Sequence, residues 1–67
     1  MYIKNSNLIL ELTVWFDSFT ETAQSIVTAS DGSILYLRPT DTIEEAKMQF
    51  KEFAFQHRAS RTKIIVT

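Results

Sequence analysis

Hydrophobic residues alternate with other residues over positions 8–16, and this is the clearest periodic pattern in the chain. Five residues spaced two apart fall on one side of an extended chain: Leu8, Leu10, Leu12, Val14 and Phe16. Successive side chains of a β-strand point to opposite faces, so this spacing predicts a strand with one buried face. The other side combines polar and apolar residues and is expected to be partly exposed to solvent. It carries Ile9, Glu11, Thr13 and Trp15. Residues 2–4 are a candidate extension of the same strand.

A β-hairpin is predicted around Asp31-Gly32. A type I′ turn needs positive φ, which glycine adopts freely and aspartate more readily than most residues. Residues 24–29 before the turn and 33–38 after it are rich in β-branched and large apolar side chains. We therefore expect them to form the second and third strands as an antiparallel pair, with residues 17–22 as a connection. Pro39 should end the third strand because it has no N–H for the ladder.

An amphipathic helix is predicted after Pro39. Thr40, Asp41 or Thr42 can cap its first N–H groups, and Thr42-x-x-Glu45 has the spacing of a capping box. Six residues fall within an arc of about 100°, the width of a stripe that packs on a sheet: Ile43, Ala46, Phe50, Phe53, Ala54 and His57. Residues 59–62 should end the helix, and residues 63–66 are suited to a last strand.

These elements predict an α+β fold in the order β-β-β-α-β, with an antiparallel sheet of three to four strands packed on one helix. Residues 1–67 are expected to form a single domain, since a chain of 67 residues has room for one core. A chain this short buries only about 60% of its unfolded surface, so its stability should be marginal and a partner or a homodimer mate would help. Hydrophobic residues make up 45% of the sequence, which argues against intrinsic disorder.

Composition and charge place the chain among soluble, cytoplasmic proteins. It contains no cysteine and therefore no disulfide framework, and residues 1–7 lack the features of a secretory signal. The longest apolar run, residues 8–16, is far shorter than the ~20 residues that cross a bilayer. Residues 1–46 carry seven acidic and two basic side chains, whereas residues 47–67 carry five basic and one acidic. The molecule should therefore be electrostatically polar.

No pattern of catalytic residues is found, so the chain is predicted not to be an enzyme and to need no cofactor or metal. The lone His57 has no second ligand at metal-binding spacing, and we interpret it as lying near the helix C-terminus, where the dipole favours a cation. Gly32 is the only glycine, which excludes a glycine-rich phosphate loop. Glu44 and Glu45 are neighbours on a helix and point in different directions, so they are unsuited to act as an acid/base pair.

Two surfaces are candidates for contact with a partner. Met48 and Phe55 project away from the core stripe of the helix, although single exposed apolar residues are also common on protein surfaces. One helix covers one face of a sheet, so the other face must hold Ile9, Trp15 and some of a further set: Val27, Ala29, Leu35 and Leu37. The predicted partner-binding residues combine these apolar side chains with nearby acids: Trp15, Met48, Phe55, Glu11, Asp17 and Glu21.

Residues 33–46 contain a strand, Pro39 and a Thr-x-x-Glu-Ala motif, and an amphipathic helix and a terminal strand follow. This arrangement resembles the architecture of small bacteriophage proteins that inhibit host machinery. These include inhibitors of bacterial RNA polymerase and some anti-CRISPR proteins. The resemblance covers roughly the C-terminal half. It implies a protein that occupies a surface of a large host enzyme, often through acidic residues that mimic nucleic acid.

The leading functional hypothesis is a non-enzymatic protein-binding module, encoded by a phage or mobile element, that inhibits or modulates a larger bacterial protein. The alternative is a small DNA- or RNA-binding regulator that uses the basic C-terminal end. Its candidate residues are Lys51, Arg58, Arg61 and Lys63. An enzyme subunit or a structural homodimer is a third possibility, and a dimeric mass without added partner would reveal it.

Overall fold

The computed structural model describes residues 8–67, so the candidate strand extension at residues 2–4 lies outside the described part. Four strands and one helix follow one another: β1 (Ile9–Asp17), β2 (Thr22–Ala29), β3 (Ile34–Tyr36), α1 (Ile43–Gln56) and β4 (Arg61–Val66). The predicted α+β class and the predicted order β-β-β-α-β are both confirmed.

The four strands form one sheet in the order β3-β2-β1-β4. Strand β2 is antiparallel to both β1 and β3, but β4 is parallel to β1. The prediction of a purely antiparallel sheet was therefore wrong, and the sheet is mixed. Two hairpin reversals leave β3 running in the same direction as β1, and α1 then carries the chain back and across the sheet. A helical crossover is the usual connection between strands of one direction.

Helix α1 packs on one side of the sheet, which we call the closed face; the opposite side is the open face. The closed face of β1 contributes Leu10, Leu12 and Val14, all buried. The buried part of the helical stripe lies against them and consists of Ala46, Phe50 and Ala54. Ala23 and Val27 of β2 complete the buried hydrophobic core of the described residues. The alternation read from residues 8–16 therefore identified the core side of β1 correctly.

The loop between β1 and β2 is shorter than predicted, because β2 begins at Thr22 and not at residue 24. The Asp17 carboxylate accepts a hydrogen bond from the Phe19 N–H at 2.9 Å, which holds the start of the loop. Glu21 closes the loop with a φ of 59°, a left-handed conformation that is uncommon outside glycine. We call this end of the sheet, residues 16–22, the hairpin end.

The predicted Asp31-Gly32 hairpin is present, but its turn is not type I′. Positive φ occurs at Gly32 (95°) and not at Asp31, whereas a type I′ turn requires it at both central residues. The Gly32 N–H donates to the Ala29 carbonyl at 3.0 Å, and the Ala29 N–H donates to the Ser33 carbonyl at 2.9 Å. This pattern matches a three-residue loop in which glycine supplies the left-handed position.

Strand β3 ends at Tyr36, two residues before the predicted boundary, yet the chain stays beside β2 up to Thr40. Tyr36 pairs with Ile26, and Thr40 exchanges backbone hydrogen bonds of 2.7 and 3.1 Å with Ala23. Between these two pairs the chain after β3 advances four residues, from Tyr36 to Thr40, whereas β2 covers only three, from Ile26 to Ala23. The extra residue defines a β-bulge. Pro39 lies inside this bulge, where a missing N–H removes no ladder bond.

Both ends of α1 have identifiable caps. The Thr42 hydroxyl accepts from the Glu45 N–H at 3.1 Å, and a Glu45 carboxylate oxygen accepts from the Asp41 N–H at 3.2 Å. The predicted capping box is thus confirmed at its N-cap, with the return bond made one residue earlier than in the standard motif.

The helix ends at Gln56, earlier than the predicted stop over residues 59–62, and exposed His57 is its C-cap. The Arg58 N–H donates to the Phe55 carbonyl and the Ala59 N–H to the Ala54 carbonyl, the two bonds of a Schellman motif. Arg58 occupies the left-handed position of that motif with a φ of 55°. The imidazole of His57 lies against the Phe53 ring, with centroids 4.2 Å apart.

Candidate functional site

The open face is organised in rows of side chains that run across the four strands. Because Leu12 and Val14 face α1, their neighbours Thr13 and Trp15 face the opposite way. The strand registers place one row at the centre: Tyr36, Ile26, Thr13 and Ile65. The row on one side of it reads Ile34, Thr28, Glu11 and Lys63. On the other side Trp15 lies opposite Gln24.

Large apolar and aromatic side chains remain accessible on this face. Tyr36 is 73% exposed, Ile34 is mostly exposed, and Trp15, Ile26 and Ile65 are half-buried. Within residues 8–67, no helix or strand covers the open face. A contiguous apolar surface that stays open on a small domain is typical of a contact site for another molecule.

Three of the predicted partner-binding residues share this face. Glu11, Trp15 and Asp17 project from the same side of β1, and Glu21 lies in the adjoining loop. A Glu11 carboxylate oxygen lies 4.0 Å from the Lys63 ammonium, with the lysine side chain mostly exposed. A solvent-exposed pair of this length contributes little to stability, so both groups remain available to a partner.

The other two predicted partner-binding residues lie on a different surface. Met48 and Phe55 are 65% and 83% exposed on the side of α1 that points away from the sheet. The sheet therefore stands between them and Trp15. A single flat partner surface cannot contact both groups at once.

The four cations proposed for nucleic-acid binding are also divided. Arg61 and Lys63 alternate with closed-face residues of β4 and so belong to the open face. Lys51 borders a shallow depression on α1 beside Phe55 and Gln56, and Arg58 lies in the Schellman motif. Only Arg61 and Lys63 of the four cations share the open face with Trp15 and Tyr36.

The sequence reasoning assigned several β2 and β3 side chains to the wrong face. Four residues expected in part on the uncovered face lie on the closed side: Val27, Ala29, Leu35 and Leu37. The open face receives Ile26 and Tyr36 in their place. The position of Tyr36 follows from its pairing with Ile26, a register that the local sequence does not reveal.

Phe19 was also missed as a candidate contact residue. It is 95% exposed in the loop at the hairpin end, and Phe16, three residues earlier in the chain, is about half exposed. A large aromatic residue inside a segment of aspartate, serine and threonine is the signal that would have identified it, because such loops rarely bury their side chains. The hairpin end therefore combines accessible aromatic rings with the carboxylates of Asp17 and Glu21.

A groove of about 320 Å³ separates β3 from the C-terminal part of α1 on the closed side. Leu35 and Phe53 form part of its apolar wall, and Asp31 and His57 lie at its margins. Hydrogen bonds from Ser33 lower the pKa of the Asp31 carboxyl below its ordinary value. The groove could receive an apolar side chain.

In the part of the chain that the structure describes, no three acidic or histidine side chains are grouped closely enough to hold a metal ion. Over the same residues, α1 is too short and too polar to span a membrane. In comparisons with known proteins, no family model matches the chain, and no curated protein or solved structure matches it either.

Proposed function

We propose that this chain is a non-enzymatic protein-binding module that docks on its partner through the open face. The observation that carries this proposal is the exposure of Tyr36, with half-buried Trp15 on the same face, on a side of the sheet that no element of residues 8–67 covers. Tryptophan and tyrosine are the side chains that most often anchor protein–protein contacts, because each buries a large area while keeping a polar atom for hydrogen bonding.

The open face is also rigid, which suits it to recognition of a partner. Leu10, Leu12 and Val14 of β1 are buried in the core beneath the open face. Thr13 and Trp15 therefore project from a backbone whose position is fixed. The side chains around them are mostly β-branched, and such side chains lose little conformational freedom when a partner covers them. A preformed, stiff surface is expected to bind without large rearrangement.

Charge indicates the chemistry of the partner. Asp17 lies beside Trp15, and Glu21 and the exposed Phe19 extend the same margin. A complementary protein surface would be apolar at its centre and basic where it meets the hairpin end, since opposite charges steer association and exclude unsuitable partners.

A basic, partly apolar surface is also what a nucleic-acid-binding protein presents. We therefore extend the proposal to an inhibitor or modulator of a larger bacterial nucleic-acid-binding protein in the cytoplasm. The resemblance of residues 33–46 and the following elements to small phage inhibitors of RNA polymerase and to anti-CRISPR proteins supports this extension.

The test compares three forms of the chain as bait in affinity capture from bacterial lysate, followed by reconstitution with the purified partner. The open-face variant carries Trp15→Ser and Tyr36→Ser, and the matched control carries Met48→Ser and Phe55→Ser on the outer side of α1. We expect wild type and the helix variant to form the same stoichiometric complex and the open-face variant to lose it. A partner that the open-face variant retains and the helix variant loses would overturn the proposal.

Nucleic-acid binding is the second candidate, and one observation favours it. Arg61 and Lys63 lie on the same sheet face as half-buried Trp15 and exposed Tyr36. Aromatic side chains on a face that also carries cations can stack bases of a single strand. Glu11 and Asp17 on that face oppose it, because they repel phosphates.

Fluorescence of Trp15, the only tryptophan, separates the two candidates. Titration with a single-stranded oligonucleotide at low salt should leave its emission unchanged if the chain is a protein-binding module. Quenching that weakens steeply as salt rises, and that Arg61→Ser with Lys63→Ser abolishes, would instead establish nucleic-acid binding.

A further inference from the structure

The two edges of the sheet differ in how they resist further strand pairing. Strand β3 has three paired residues and is followed by the bulge that contains Pro39. Short strands, bulges and prolines are among the features that prevent an edge from accepting another strand. Strand β4 has six residues, no proline and a run of Ile64, Ile65 and Val66. In the described structure, β4 is therefore the edge that is open to pairing.

The register shows which backbone groups of β4 point outward. The Thr67 N–H donates to the Val14 carbonyl of β1 at 3.0 Å, so residue 67 faces inward. Because residues of a strand bond alternately to its two sides, Lys63 and Ile65 also face β1. The N–H and C=O groups of Thr62, Ile64 and Val66 then point away from the sheet, where an added strand would meet them.

Side chains along this edge are sorted by charge and polarity. Arg61 and Lys63 occupy the open-face side, and β4 carries no acidic residue. On the closed side, Ile64 is half-buried and Val66 is about half exposed, with half-exposed Phe16 on the neighbouring β1. Helix α1 packs mainly on β1 and β2, which leaves this apolar margin beside β4 accessible.

We propose that the β4 edge accepts an extended acidic segment of a partner protein as a fifth strand. Alternate aspartate or glutamate side chains of that segment would face Arg61 and Lys63, and the apolar residues between them would cover Ile64 and Val66. Backbone hydrogen bonds supply affinity in such strand addition, and the alternating side chains supply specificity. Arg61 and Lys63 belong to the open face, but the outward backbone groups of β4 lie at the sheet edge, and Trp15 and Tyr36 are on other strands. The inference therefore goes beyond the proposed function and is tested independently of it.

Charge also favours an acidic segment of a partner, and not a second copy of this chain, as the strand added at the β4 edge. Two β4 strands pairing with each other would gather four cations along one shared edge, and like charges close together across strands are destabilising. The same two cations that disfavour a basic strand favour an acidic one.

The experiment measures binding of a fluorescein-labelled heptapeptide that alternates valine and glutamate, using fluorescence anisotropy at low salt. Two control peptides replace glutamate with lysine or methylate the backbone nitrogens that would face β4. We expect the glutamate peptide to bind, both controls to bind at least about tenfold more weakly, and binding to weaken as salt screens the charges.

Variants of the protein locate the peptide. Lys63→Glu should weaken binding about tenfold or more, whereas Lys51→Glu on α1 is the matched control and should leave it unchanged. Thr62→Pro removes an outward N–H and no bond to β1, so it should block pairing while the fold persists. If that variant does not fold, Lys63→Glu and the methylated peptide still decide the outcome.

Amide exchange gives the structural readout. Peptide binding should slow exchange at Thr62, Ile64 and Val66 more than at Lys63 and Ile65, whose N–H groups already bond to β1. Equal binding of the lysine peptide, or unchanged protection at the three outward amides, would overturn the proposal. A dimeric mass of the protein without peptide that Thr62→Pro abolishes would overturn it too, since the edge would then belong to a second copy. Substitutions of Trp15 and Tyr36 should leave peptide affinity unchanged, which separates this result from the test of the open face.

Discussion

The two faces of the sheet have the same strands but opposite surroundings. On β1 the closed face presents Leu10, Leu12 and Val14, which are buried, whereas the open face presents Thr13 and Trp15, which are half-buried. A single helix produces this difference, because it covers one side only. The comparison teaches that a chain of this size can keep its core and its recognition surface on alternate residues of one strand.

The closed face also shows how one helix can complete a core. Ala46 and Ala54 on α1 and Ala23 on β2 are buried and small, so helix and sheet can approach closely. Phe50 supplies the large side chain at the centre of this contact and is fully buried. Stability is thus concentrated on one side of the molecule, which leaves the other side tolerant of substitution.

The largest expected effect tests whether the stability of the fold depends mainly on the closed face. Phe50→Ala should lower the free energy of unfolding by about 3–5 kcal/mol, because it removes a fully buried ring and leaves a cavity. The matched control is Phe55→Ala on the same helix, where we expect a change within about 0.5 kcal/mol because the ring is exposed. Urea unfolding followed by circular dichroism measures both. Equal losses for the two variants would show that the outer side of α1 is packed in solution.

The second prediction exchanges side chains of similar shape between the faces. Val14→Thr places an unpaired hydroxyl in the core and should destabilise the fold by about 1–3 kcal/mol. Thr13→Val, one residue away on the open face, should change stability by less than about 0.5 kcal/mol. Urea midpoints compare the pair. A loss for Thr13→Val as large as that for Val14→Thr would mean that the open face is not accessible.

The third prediction concerns a polar exception on the closed face. Ser25 is buried, and its hydroxyl has no hydrogen-bond partner within residues 8–67. Ser25→Ala should therefore stabilise the fold by about 1 kcal/mol, since it removes an unsatisfied polar group. Thr28→Ala on the open face is the control and should not stabilise it. Destabilisation by Ser25→Ala would imply that the hydroxyl makes a bond in solution.

Local sequence signals were sufficient for much of the closed face. The alternation over residues 8–16 and the stripe from Ile43 to Ala54 each reflect one element, and the Thr42–Glu45 cap is contained in four residues. The direction of β4 could not be read in this way, because parallel and antiparallel strands have the same local composition. The helix that precedes β4 was the available signal, since helical crossovers usually join strands that run in the same direction.

The open face was predicted less completely. The alternation of β1 was enough to place Glu11 and Trp15 on one face. Asp17 was assigned to the connection after the strand, although β1 extends to include it. Tyr36 was not assigned to a face, because a strand of three residues beside a bulge has too short an alternating pattern to show which side chains share a face. The separation of Met48 and Phe55 from Trp15 depends on which side of the sheet α1 covers, and that is a property of the assembled fold.

The smallest expected effect lies in the turn between β2 and β3, outside both faces. The Asp31 carboxylate accepts the Ser33 N–H at 2.9 Å, and its pKa is lowered by this bond. A folded-state pKa below the unfolded value gives a contribution that is complete above about pH 4 and is lost as pH falls through the folded value. The stability advantage of wild type over Asp31→Asn should therefore shrink in acid, as measured by urea midpoints at several pH values. An advantage that persists at low pH would contradict this account.

The parallel pairing of β1 with β4 has a consequence for synthesis of the protein. Ser60 bonds to Leu8 across 52 positions of sequence, and the six-residue ladder that follows joins the first described strand to the last. While a ribosome is still making the chain, β1 can pair with β2 but has no neighbour on its other side. The nascent chain must therefore carry an unprotected strand edge until residue 66 has emerged, and this interval is when aggregation or capture by a chaperone should be most frequent.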